Sequence, residues 1–129
     1  MKVNYRPLDN LFTTYMRLKA DGKCEYCGQT PKSLFSFHCH HGVAGRRYLN
    51  TRWEEDNCAA LCLACHNLFG DLPSINQDFF KKRIGTKRME ELEVVARTIK
   101  KMTKERREAI KADLKERIKR LEQGVFKCH

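Results

Sequence analysis

The sequence predicts an α+β fold: a small metal-stapled ββα core, preceded by an N-terminal helix and followed by a C-terminal helical extension. Three observations predict it. Cys24/Cys27 and Cys62/Cys65 are two C-x-x-C pairs, with 34 residues (28–61) between them. That interval holds aromatic and half-buried residue types broken by a glycine turn, which reads as a hairpin. Outside it, apolar residues recur at helical spacing. The boundaries expected are a core over residues 1–72 and a basic extension over 73–129.

Taken in order, Leu8, Leu11, Phe12, Tyr15, Met16 and Leu18 give an amphipathic helix over residues 8–20, stopped by Asp21-Gly22. Cys24 to Gly28 forms a tight knuckle. Residues 34–41 read as a strand, 42–45 as a turn and 48–53 as the return strand. Asp56-Asn57 marks a second turn, and residues 62–70 a short helix. After Pro73 the composition shifts. Ser74 and Gln77 have capping-box spacing, opening a helix to about Ile84 with Gly85 as its stop. Thr86 caps a second helix carrying Met89, Leu92, Val95, Ala96 and Ile99. Thr103 caps a third, with Ile110, Leu114, Ile118 and Leu121 on one face and Gly124 beyond its end. That face packs on the preceding helix or forms a homodimer seam. Cys128 and His129 are expected to fray.

Twenty-six Lys and Arg oppose sixteen Asp and Glu, for a formal charge of +10 over 129 residues. A polyanionic partner follows, nucleic acid ahead of an anionic membrane surface. The basic helices lack the exposed Trp or Phe of a membrane-surface helix, and no apolar run reaches the ~20 residues of a span. The start of the chain lacks an apolar signal region. A cytoplasmic, reducing setting is therefore expected.

There the seven cysteines favour metal over disulfides. Thiolate is a soft ligand suited to Zn²⁺, and C-x-x-C brings two sulfurs to one tetrahedral ion. Cys24, Cys27, Cys62 and Cys65 would make a closed structural site. Cys39 and Cys58 read as small buried residues. His38, His40 and His41 stand together, and His66 follows Cys65 directly. Alternation along a strand puts His38 and His40 on one face and His41 on the other unless the strand ends there. The clip would draw His66 toward the His40-His41 end, where imidazoles could hold a second, open metal site.

His40-His41, then Asn57, then Cys62-x-x-Cys65-His66, with a C-x-x-C pair upstream, resembles the HNH endonuclease family, and particularly its zinc-clipped phage and mobile-element members. The resemblance spans about residues 20–70. It implies a zinc-stapled ββα-metal core of treble-clef-like form and a metal-dependent endonuclease that hydrolyses DNA phosphodiesters by nicking, double-strand or branched-DNA cleavage. A phage origin would place it in the bacterial host's cytoplasm. By that resemblance His41 is the general base, His40 and His66 bind the catalytic ion, and Asn57 fixes the loop or joins the ion's shell. The ion is Mg²⁺ or Mn²⁺, with Ni²⁺ or Zn²⁺ also suited to imidazole. The turn over residues 42–45 is one residue longer than the family's usual. That leaves open an exchange of roles between His40 and His41, or a part for His38. The alternative is a non-catalytic zinc-stabilised DNA-binding module. Arg46, Arg47 and Arg52 flank the histidines as candidate phosphate contacts. Lys100, Lys101, Lys104, Arg106 and Arg107 cluster between the last two helices and could track a nucleic-acid backbone. Trp53 reads as core.

Overall fold

The computed structural model describes residues 2–33 and 36–127, with side chains up to Gly124 in the last helix. Leu34 and Phe35 of the expected first strand, and the terminal Cys128 and His129, lie outside the described residues. The chain runs α1 (Arg6–Lys19), β1 (Phe37–His41), a 3-10 turn (Glu55–Asn57), β2 (Cys58–Cys62), α2 (Leu63–Asp71), α3 (Pro73–Arg97) and α4 (Lys104–Lys127).

Helix α1 forms where the apolar spacing places it, with Pro7 in its first turn. It ends as Asp21 and Gly22 turn to positive φ. The return strand is displaced from its expected position. β1 pairs antiparallel with Cys58–Cys62, in the register Phe37↔Cys62 to His41↔Cys58, while residues 48–53 form turns. The aromatic content that suggested a strand there serves burial instead: Trp53 lies in the core, with Tyr5 against it at 5.6 Å. In β2, Cys58 to Leu61 are all buried, so no polar/apolar alternation advertises the strand.

The sheet separates two apolar clusters. Phe37, Cys58 and Ala60 meet Leu8, Phe12, Tyr15 and Met16 of α1, together with Met102 and Leu114. Ala59 and Leu61 on the opposite face meet Cys65, Phe69 and Phe80. Fully burying one such aromatic or aliphatic side chain contributes about 1.5–3 kcal/mol. The residues after Pro73 supply side chains to both clusters. The Ile110, Leu114, Ile118 and Leu121 face of α4 packs with the α1 cluster rather than on α3. Glu55 ties the two helices, accepting from Tyr15 Oη at 3.1 Å, from Lys19 and from Arg117 at 3.2 Å.

The helical boundaries also differ in detail. Helix α3 begins at Pro73 without a side-chain cap, so Ser74 and Gln77 form no capping box. At Gly85 (φ 84°, ψ 158°) its axis breaks, where only glycine adopts the backbone cheaply. Thr103 Oγ1 does cap α4, accepting from Arg106 N at 3.2 Å. Gly124 falls within α4 rather than beyond it. No helix among the described residues is long and apolar enough to cross a membrane.

Candidate functional site

The first knuckle is laid on β2 by a backbone bond from Glu25 N to Ala60 O at 2.9 Å, and is closed on itself by Cys24 N donating to Gln29 O at 2.8 Å. The second knuckle opens α2, so Cys62 and Cys65 face Cys24 and Cys27. One sulfur from each of the four lies within 4.8 Å of all the others, with Cys27 and Cys62 3.8 Å apart. Burial opposes ionisation of Cys24. The backbone amides of Cys27, Cys62 and Tyr26 outweigh it and bring that thiol down to about 7. Burial and the neighbouring sulfurs push the Cys65 thiol up. Four thiolates repel unless a dication joins them, and this donor set fits tetrahedral Zn²⁺ with no position left over.

The histidines sit at the free edge of β1. His40 and His66 meet edge to face with ring centres 5.2 Å apart, and His38 stacks on His66 at 5.0 Å. His41 lies on the opposite face, because β1 continues through it. The three imidazoles His40, His41 and His66 therefore do not converge from one side. Instead, His38, His40, His41 and His66 line one cleft of about 480 Å³, together with Cys39, Asp9 and Arg46.

Hydrogen bonds fix both tautomers. Asn76 Nδ2 donates to Gly42 O at 2.8 Å, so its Oδ1 accepts the His40 Nε2–H at 2.7 Å. Nδ1 then carries the His40 lone pair. His41 Nε2–H donates to Arg52 O at 2.9 Å, leaving its Nδ1 free as well. Burial lowers the pKa of His40 despite Asn76, and of His41 despite the Arg52 carbonyl. Burial and the two neighbouring histidines lower that of His66. All three are neutral at neutral pH.

Asn57 is wholly buried and holds the loop over residues 42–57 closed. Its Oδ1 accepts from Ala44 N at 2.6 Å, and its Nδ2 donates to Ala44 O at 2.8 Å and Thr51 O at 3.2 Å. These bonds employ its amide within the loop, not in a metal shell. They also hold the strand end next to Arg52 O, the carbonyl that orients His41. Gly42 is required at the loop's start, because a Cβ there would enter the Phe80 ring and lie 2.7 Å from Asn76 Oδ1.

The basic residues divide. Arg52 is 13% exposed in its side chain and bonds Asp9 through Nε at 3.0 Å and Nη2 at 2.5 Å. It is a buried brace rather than a free phosphate contact. Arg46 also pairs with Asp9 at 3.0 Å but is 65% exposed, and the exposed Arg47 donates to Tyr48 Oη at 2.7 Å. Arg106 bonds Lys101 O and Asn50 Oδ1, and Arg107 bonds Met102 O, so both brace the α3–α4 connection. Lys100, Lys101 and Lys104 are exposed.

Two participants escaped the sequence reading. Asp9 gathers Arg46, Arg52 and the Trp53 indole N–H. Burial resists its ionisation, but those donors hold its pKa below the usual carboxylate value. Asn76 orients His40 from α3. Neither residue lies in a local motif that signals it. A third feature is the grouping of Cys39, His41 and Cys58, whose donor atoms all lie within 4.8 Å of one another.

The family model described as Bacteriophage Lambda NinG protein matches residues 5–124. No curated protein and no solved structure matches the chain.

Proposed function

This chain belongs to the bacteriophage lambda NinG family, and from that premise we propose that it is a phage-encoded, metal-dependent endonuclease that hydrolyses DNA phosphodiesters. The observation that carries the reading is the single cleft into which the β1 edge and α2 bring His40, His41 and His66. Two neutral imidazoles with free Nδ1 lone pairs stand on either side of that edge. One suits proton abstraction and the other metal ligation.

In this reading His41 Nδ1 takes the proton of an attacking water, while Arg52 O holds the ring through Nε2–H. His40 and His66 would hold a divalent ion, with His38 stacked on His66 as a third imidazole at the same edge. The ion would supply charge neutralisation at the scissile phosphate and the leaving oxygen. Among the described residues Asp9 is the one carboxylate lining the cleft, and it is already engaged with arginines. An imidazole-dominated donor set favours Mn²⁺, Ni²⁺ or Zn²⁺ over Mg²⁺. Arg46 is the exposed guanidinium at the cleft wall best placed for a phosphate oxygen. The exposed Lys100, Lys101 and Lys104 at the α3–α4 connection would add salt-dependent contacts to a nucleic-acid backbone.

A supercoiled-plasmid nicking assay tests the proposal. Cleavage with Mn²⁺ that is abolished by EDTA is expected. His41→Ala should remove it by a factor of ~10² or more while zinc content stays the same. Robust cleavage by His41→Ala would refute the base. Absence of cleavage from well-folded, zinc-loaded protein that still retains DNA would favour the non-catalytic binding module.

A further inference from the structure

We propose that Cys39, His41 and Cys58 form a second cation site, selective for a thiophilic dication of the Zn²⁺ class and separate from the four-cysteine clip. The strand register builds it. Cys39 and His41 are two residues apart, on one face of β1, and Cys58 is the cross-strand partner of His41. One donor atom from each of the three lies within 4.8 Å of the other two. A single ion can therefore reach all three after the side chains draw in, at the ~2.3 Å and ~2.0 Å typical of Zn–S and Zn–N bonds.

The surroundings suit such an ion. The His41 Nε2–H is already given to Arg52 O, which leaves Nδ1 as the donor. A ligating histidine whose second nitrogen is tied to a carbonyl is the usual outer arrangement around a bound metal. Cys58 is fully buried and closes the site from behind, whereas Cys39 and His41 line the cleft and offer an entry path. Two thiolates would neutralise the dication. Burial and Cys39 push the Cys58 thiol up, and Arg83, bound to Cys58 O at 2.7 Å and paired with Glu25, offsets only part of that. Three protein donors leave a fourth position for water.

The site is distinct from the clip. The clip's Cys62 pairs with Phe37, four residues along β1 from His41, or about 13 Å at ~3.3 Å per residue. It shares no ligand with the clip and lies on the sheet face opposite His38 and His40. Occupation would take the His41 lone pair that the proposed hydrolysis uses, so a soft cation would inhibit cleavage. That consequence alone rests on the function proposed above; the site does not.

Cobalt substitution of the full chain tests it. Only thiolate sites produce the intense sulfur-to-cobalt charge-transfer absorption, so imidazole-bound ions are silent in this readout. Titration of reduced, metal-free protein with Co²⁺ should saturate that band at two equivalents per chain. Cys39→Ser and His41→Gln should each abolish the second increment and keep the clip's. Cys39 and His41 are only partly buried, so these variants spare the core position Cys58. His66→Gln should retain both increments. Saturation at one equivalent in the unaltered chain, or two increments surviving in both Cys39→Ser and His41→Gln, would overturn the site. The result is independent of whether the protein cleaves DNA.

Discussion

The sulfur clip and the histidine cleft share helix α2, which carries both Cys65 and His66, yet they are held by different forces. In the clip, four donors from two tight knuckles come within 4.8 Å of one another, and a bound dication would relieve the repulsion among four thiolates. In the cleft, the rings stand about 5 Å apart. His40 and His41 are each aimed by a hydrogen bond from a distant part of the chain, Asn76 for one and the Arg52 carbonyl for the other. A closed site satisfies its ion entirely from within. An open site needs its ligands positioned by the rest of the fold, so that positions remain for water and substrate.

The largest effect expected is on the clip. Chelation of zinc, or Cys65→Ser, should unfold the first 70 residues, because the free energy of a structural zinc is folding free energy of roughly 10 kcal/mol or more. Loss of the cooperative melt by circular dichroism, restored by adding Zn²⁺ to the chelated protein, would check it. A core that stays folded without metal would break the contrast between clip and cleft.

Asn57→Ala should act on the cleft alone. It strips three hydrogen bonds from a wholly buried loop anchor and leaves their backbone partners unpaired, at a cost on the order of 3 kcal/mol. Urea unfolding should shift by that amount while zinc content is unchanged. A loss of zinc alongside the shift would show that loop and clip are one unit.

The smallest effect is the response to acid. His40 and His41 have pKa values lowered below 6.5 in the folded protein. Above pH 6.5 both folded and unfolded states are neutral at these rings, which then contribute nothing to the pH dependence. As pH falls through 6.5, the unfolded chain takes up protons that the folded one refuses, so stability drops. Stability should therefore rise with pH up to about 6.5 and then level off in this respect. Thermal melts between pH 5 and 8, with His40→Gln flattening part of the slope, would measure it. A flat profile in the unaltered chain would show that the rings are solvated rather than buried.

Much of the candidate site was legible because its motifs are short-range. C-x-x-C spacing brings two sulfurs together whatever surrounds it, and Cys65-His66 places an imidazole beside the clip. Asn57 carries no such local geometry: the family resemblance offered it either the loop or the ion's shell, and its bonds to Ala44 and Thr51 engage it in the loop. The misplaced return strand has a similar cause. Residues 48–53 have strand-like composition, but their aromatics are consumed by the core below α1, while Cys58-Ala59-Ala60-Leu61 is buried on both faces and shows no alternation.

By itself the sequence determined the four-cysteine clip, the helices flanking it, the basic balance and the set of imidazoles available for chemistry, since each follows from spacing or composition within a few residues. Only the tertiary structure decided which face His41 occupies, that Asp9 neutralises Arg52, that Asn76 aims His40, that α4 lies on α1, and that Cys39 and Cys58 meet His41. Those pairings join parts of the chain that are distant in sequence: strand register sets the first and last of them, and burial of complementary side chains sets the others. No local preference encodes either.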